Sequence, residues 1–177
     1  FLLIIEQSLS SMRIIRKNRI LEQKAYIDVH TGIPNKSKCE ELFSDMSFIT
    51  EPTACLMFDL NNLKSANDTL GHSAGDQLIA SFARVLRNVI PAKDFVGRYG
   101  GDEFVVILYN ITENTVNSLL TQLHNEVMQF NRGGNNIPIS YAQGWAVSTD
   151  YTDCTLRTLF DKADHFMYTN KVRVKSE

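Results

Sequence analysis

Cysteine is scarce in this chain, long apolar runs are missing, and neither sign of charge prevails. Cys39, Cys55 and Cys154 are odd in number and form no C-x-x-C pair, which argues against a disulfide scaffold and a zinc site and fits a reducing compartment. All three read as small core or surface residues. A formal net charge of −2, from 18 basic and 20 acidic residues, predicts no surface for a nucleic acid. The apolar segment Phe1-Leu2-Leu3-Ile4-Ile5 falls short of the about 20 residues that cross a bilayer, so the sequence predicts no membrane span. Arg13, Arg16, Lys17 and Arg19 follow it, as they would on the cytoplasmic side of a membrane helix ending near Ile5. A helical lead-in packed on a neighbour or on a second copy explains them equally well. Stepping by sevens from Leu2 gives Leu9, Arg16 and Gln23, so no long coiled coil is expected. Internal repeats and low-complexity tracts are missing too.

What is present is enough for one domain with a substantial core, 177 residues at 44% hydrophobic. Cys39, Leu42, Phe43 and Met46 recur at helical spacing after Pro34-Asn35. Leu78, Ile79, Phe82, Val85, Leu86 and Val89 do the same before Pro91 stops the run. Thr112 is a candidate N-cap for a helix burying Val116, Leu119, Leu120, Leu123 and Val127, which ends in the loop Asn131 to Asn136. Ile137 to Val147 reads as sheet, and Leu156, Leu159, Phe160, Ala163 and Met167 mark a last helix. The order of elements predicts an α/β layer with a mixed sheet and helices against it.

Polar residues gather at two places. Gly97-Arg98-Tyr99-Gly100-Gly101-Asp102-Glu103-Phe104 reads as strand, two-glycine turn and strand, the glycines supplying positive φ and the acids placed at the turn exit. Adjacent carboxylates at such a bend suit a cation; a merely solvated acidic turn is the plainer explanation. Ala54-Cys55-Leu56-Met57-Phe58 looks like a buried strand that ends at Asp59, and strand ends of this kind bind ligands in α/β sheets. Asp59-Leu60-Asn61-Asn62-Leu63-Lys64-Ser65-Ala66-Asn67-Asp68 and Gly71-His72-Ser73-Ala74-Gly75-Asp76 follow at once, with more polar side chains than a connecting loop needs.

Those segments, in that order and spacing, resemble the GGDEF family of diguanylate cyclases. Asp28-Val29-His30-Thr31-Gly32-Ile33-Pro34-Asn35 is similar to the family's opening motif, and Ala163-Asp164-His165-Phe166-Met167-Tyr168-Thr169-Asn170-Lys171 to its closing helix. The resemblance covers residues 28 to about 175 and implies a palm-like, ferredoxin-like fold. Residues 1–27 then form a helical lead-in before a catalytic domain at 28–177. It also implies a cytoplasmic enzyme that condenses two GTP into cyclic di-GMP as a homodimer, wired to an upstream sensory region. A membrane anchor before residue 1 stays open. The alternatives are a silent GTP-binding or interaction module and, more remotely, a palm-type nucleotidyltransferase acting on a template, which the missing basic groove disfavours.

The chemistry of the residues supports this expectation. Mg²⁺ or Mn²⁺ wants one or two carboxylates plus backbone oxygen, water and phosphate, which Asp59, the Leu60 carbonyl and Asp102 or Glu103 would supply. Two such ions would stabilise in-line displacement at an α-phosphate. The resemblance makes Asp59 and Glu103 ligands and leaves Asp102 as ligand or as base for the 3′-hydroxyl.

Guanine presents N1–H and an amine that one carboxylate accepts together, while an amide serves its ring acceptors; Asp76 and Asn67 are the candidates. The plainer roles are an acid in the first turn of a helix for Asp76 and a turn cap for Asn67. The resemblance assigns phosphate to Lys171 and Lys175, the latter in place of a usual Arg, puts Lys64 near the metal, and makes Gly100 and Gly101 the turn that lines the substrate. Arg98 either reaches phosphate or flanks its strand. His72 reads as a structural hydrogen-bonder, and Tyr99 and Trp145 as packing. Asn61 and Leu63 depart from the family's habit at positions on which the metal argument does not depend.

Many relatives carry an Arg-x-x-Asp site for product inhibition before the hairpin. Here the window is Pro91-Ala92-Lys93-Asp94, so no inhibitory site is expected, and Asp94 alone would repel the product.

Overall fold

The computed structural model describes residues 7, 11–17, 25–134 and 137–175, with side chains as far as residue 172. Its order is α1 (Lys36–Phe43), β1 (Thr53–Leu60), α2 (Leu63–Leu70), α3 (His72–Val89), β2 (Phe95–Arg98), β3 (Glu103–Tyr109), α4 (Glu113–Arg132), β4 (Tyr141–Val147) and α5 (Leu156–Lys175). The strands lie in the order β2-β3-β1-β4. This is the expected palm-like, ferredoxin-like layer with flanking helices. The sheet is not mixed, however: every pairing is antiparallel. The helices between β1 and β2 and between β3 and β4 carry the chain across a strand that runs the opposite way.

β1 is central and buried along its whole length, which is why it reads as a continuous apolar run. Its alternate residues serve two cores. Ala54, Leu56, Phe58 and Leu60 pack with Leu78, Phe82, Val116 and Leu123, under α3 and α4. Cys55 and Met57 pack with Phe43, Leu159, Ala163 and Met167, under α1 and α5. The same alternation on β3 sends Val105 and Ile107 toward α5. Asp59 and Glu103 therefore belong to the α5 face. The three cysteines are free and buried.

Two local expectations change, and one helix start is set by a glycine. β4 begins at Tyr141 rather than Ile137, because the Asn131 side chain satisfies both the N–H and the carbonyl of Ile139, each at 2.8 Å, in place of a neighbouring strand. α3 starts at His72 behind Gly71, whose φ of 87° a side chain would resist. In the hairpin neither Gly100 nor Gly101 has positive φ. The Tyr99 and Gly100 amides instead share the Glu103 carbonyl, at 2.8 and 3.2 Å, so the turn is opened by a bulge.

Residues 11–17 are helical, with Met12, Ile14 and Ile15 exposed. The expectations for Phe1–Ile5 and most of the heptad positions lie outside the described residues. Among those described, no helix is long and apolar enough to cross a membrane.

Candidate active site

Asp59 and Glu103 are partners in the β1–β3 register. The next pair, Leu60 and Asp102, is hydrogen-bonded, the Leu60 amide donating to the Asp102 carbonyl at 2.9 Å. Alternation then makes Asp59 and Glu103 a non-hydrogen-bonded pair, whose Cα atoms approach to about 4.5 Å with side chains on one face. Two carboxylates are thus held side by side at the end of a buried strand.

α5 supplies a counter-charge. A Cβ on Gly144 of β4 would collide with the backbone of Met167 and Ala163, so only glycine lets the helix lie this close to the sheet. One turn beyond Met167, the Lys171 ammonium stands 2.6 Å from Asp59 Oδ1. Asp164 lies two turns earlier on the same helix face. Burial, then the charges of Asp102, Asp164 and Asp59, push the Glu103 carboxyl up from its ordinary range, opposed by Lys36. Burial and the charge of Asp161, with a smaller push from Asp59, raise Asp164 as well. The cluster carries more negative charge than its lysines offset.

That imbalance is the test for a divalent cation. Among the described residues no three side chains form a closed metal cage. Mg²⁺ does not need one, since it keeps waters and takes phosphate oxygens beside one or two carboxylates. Opposed Asp59 and Glu103, with Asp102 beside them, fit that open shell, and Lys171 occupies the Asp59 oxygen as a cation would.

The hairpin shapes the other side. A Cβ on Gly100 would strike the Glu103 carboxylate, whereas one on Gly101 would meet open space. A cleft of about 380 Å³ borders the turn, lined among others by Asn35, Lys36, Gly100 and Gly101. Arg98 lines the same cleft and is mostly buried. Its guanidinium donates to Asp28 Oδ2 at 2.9 Å and to the Gly101 carbonyl at 2.8 Å, and clamps the 28–33 turn to the hairpin.

A second group forms where α2 meets α3. The Asn67 amide rests against Gly75, where a Cβ would displace it. Asp76 follows Gly75, half-exposed, one residue past the first turn of α3. His30 Nδ1 lies 3.6 Å from Asp76 Oδ1. Lys64 is exposed on α2, His72 is exposed at the start of α3, and the Lys175 side chain lies outside the described residues. Tyr99 packs on Phe43 and Phe160 and donates its hydroxyl to Glu40, while Trp145 packs against the α3–α4 core.

Sequence reading passed over Lys36, Asp164 and His30 as site residues. The seven-residue spacing from Asp164 to Lys171 was a signal for one of them; the other two are brought in by packing alone. Asp94, expected to repel a product, is engaged within the fold. Asp94 is buried and accepts the Tyr109 amide at 3.0 Å, and the Lys93 ammonium reaches the Tyr109 carbonyl at 3.3 Å, so both residues tie down the end of β3.

Comparison with known proteins agrees with the fold and the motifs. Signaling protein YkoW of Bacillus subtilis is 32% identical over 98% of this chain and 23% of its own length. Diguanylate cyclase DgcN of Escherichia coli is 28% identical over 90% of this chain and 40% of its own length. The chain thus spans less than half of either relative. The crystal structure of the coiled coil and GGDEF domain of DgcB from Caulobacter crescentus, in complex with c-di-GMP, shares the fold with a TM-score of 0.81 at 23% identity, over 96% of this chain and 93% of that one. The family described as "Diguanylate cyclase, GGDEF domain" matches residues 25–177, and the chain belongs to it.

Proposed function

We propose that the chain is an active diguanylate cyclase, which joins two GTP into cyclic di-GMP and releases two pyrophosphates as a two-fold dimer. The observation that carries this reading is the opposed pair Asp59 and Glu103, over-negative and set beside the Gly100-Gly101 turn. Asp59, Glu103 and the Leu60 carbonyl would hold Mg²⁺ or Mn²⁺, two ions per site, with Asp102 as a further ligand or as the base. Bound there, the metal supplies charge stabilisation at the reacting phosphate.

The protein's own part is placement. Lys171, turned from Asp59, would hold a triphosphate oxygen, and Lys64 and Lys175 would add phosphate contacts. Asp76 accepts the guanine N1–H and amine, and Asn67 serves the base's acceptors. Each 3′-oxygen forms a bond to the α-phosphorus of the other GTP as the bond to the β-phosphate breaks, and the hydroxyl proton leaves to Asp102 or to water. One chain carries one acidic cluster and one base reader, so two linkages need two chains. The same reading places the chain under an upstream sensory region of a longer protein; the chain spans 23% of YkoW and 40% of DgcN.

Incubating the purified chain with GTP and Mg²⁺ over a range of protein concentrations, and resolving the products, tests the reading. Cyclic di-GMP and pyrophosphate, with activity per chain falling on dilution, are expected. GTP bound but unchanged at every concentration would make the chain a silent module.

A further inference from the structure

His30 has no part in the metal cluster, yet its place is tightly specified. The turn that carries it is closed by the Asp28 amide donating to the Ile33 carbonyl and the Gly32 amide to the Asp28 carbonyl, both at 2.8 Å. Thr31 donates its amide and hydroxyl to Asp28 Oδ1 at 3.0 and 2.7 Å, and Gly32 takes φ of 70°. Arg98 pins the same Asp28 to the hairpin through its second oxygen, in a pair only 14% and 16% exposed. A backbone held at both ends in this way presents His30 at a fixed point.

That point is Asp76. The imidazole and the carboxylate are 46% and 50% exposed, so neither is committed to the core and both border solvent. At 3.6 Å from Nδ1 to Oδ1, a small rotation of the exposed ring brings an N–H to hydrogen-bond distance. A carboxylate on a helix surface turns freely about its last bond; one gripped on a single oxygen keeps its plane. Recognition of a base edge by one carboxylate depends on that plane, because two parallel N–H donors must meet two coplanar oxygen lone pairs.

We propose that His30 is a positioning residue for base recognition, holding the Asp76 carboxylate in the plane in which it accepts the paired N–H donors of guanine. This deepens the GTP reading and rests on it. The predicted signature is a loss of selectivity for the exocyclic amine, because a tilted carboxylate keeps one donor and loses the other.

The test is calorimetric titration of the full chain with 3′-deoxy GTP and 3′-deoxy ITP, which lack the attacking hydroxyl and, in the inosine case, the amine. His30→Ala is expected to weaken the guanosine analogue about 5–10-fold and the inosine analogue less than about twofold. His30→Asn, which restores an N–H near the Nδ1 position, should recover most of the loss, and all variants should keep the wild-type unfolding temperature. Equal weakening of both analogues, no weakening, or no rescue by asparagine would overturn the proposal. Asp76→Ala separates the two levels of inference. If it abolishes the preference while His30→Ala leaves it intact, only the role of His30 falls; if the wild-type chain shows no preference for the guanosine analogue, the GTP reading falls and this one with it.

Discussion

Asp59 and Glu103 face each other across the β1–β3 ladder as a directly opposed pair, with Lys171 reaching in from α5 to the first of them. Like charges directly opposite destabilise a sheet. Burial first, then the charges of Asp102, Asp164 and Asp59, raise the Glu103 carboxyl, so its charged form weakens the metal-free fold: the stability present below the unfolded glutamate range of about pH 4.3 is lost as pH rises through the higher folded value. Glu103→Gln should raise the metal-free unfolding temperature at neutral pH by about 2 °C. It should also cancel any rise produced by Mg²⁺ and cut turnover by more than about 100-fold. Thermal scans with and without Mg²⁺, beside a product assay, check all three.

The two glycines of the turn should separate. Gly100→Ala meets only the flexible end of Glu103, so the fold loses under about 1 kcal/mol, but the carboxylate is driven off its place. Turnover should drop on the order of 100-fold. Gly101→Ala enters open space, and with no positive φ to defend it should stay within about threefold of wild type. Equal losses in the two variants would mean that the turn matters for its flexibility.

Gly144→Ala acts on the helix instead of a side chain. The new methyl meets the backbone of Met167 and Ala163, which cannot rotate away, so α5 must lift from the sheet and carry Lys171 with it. A cost of about 3 kcal/mol is expected in chemical denaturation. Weaker triphosphate binding should accompany it.

Asp28→Ala strands the guanidinium of Arg98. Burial pushes the Asp28 carboxyl up, but the Thr31 hydrogen bonds and the Arg98 charge outweigh it and hold it below the ordinary aspartate range. Its contribution is therefore complete above about pH 4 and fades as pH falls through the lower folded value. The variant should lose about 3 kcal/mol at neutral pH, and its stability should converge on that of the wild type in strong acid. Denaturation midpoints followed from pH 7 down to pH 2 give both numbers.

Product inhibition through the Pro91–Asp94 segment should be absent. Asp94 and Lys93 are engaged at the end of β3, and Pro91 brings neither charge nor N–H. Titrating cyclic di-GMP into the chain should show only weak competition with GTP. Tight binding that disappears in Lys93→Ala would show that the lysine takes the place of an arginine.

Much of this was open to reading in the order of residues. Ala54 to Phe58 reads as a buried strand, because five successive apolar residues leave no solvent face, and the whole of β1 is buried. The acids at 59, 102 and 103 and the glycines at 100 and 101 stand close enough to their turns for local chemistry to identify them. Other features depend on which surfaces meet. The sheet is antiparallel throughout because of how the helices cross it, and hydrophobic period alone does not encode direction. Gly100 is needed for room beside Glu103 rather than for positive φ, a distinction that appears only when the neighbouring carboxylate is in place. Asp94 reads along the chain as an acid that would repel the product, whereas the Tyr109 amide, fifteen positions away in sequence, holds it within the fold. Lys36 and His30 joined the site through contacts that no spacing records. Propensity and charge act along the chain and can be read there; opposition, burial and reach are set between segments, and these decided which carboxylates stand together beside Lys171.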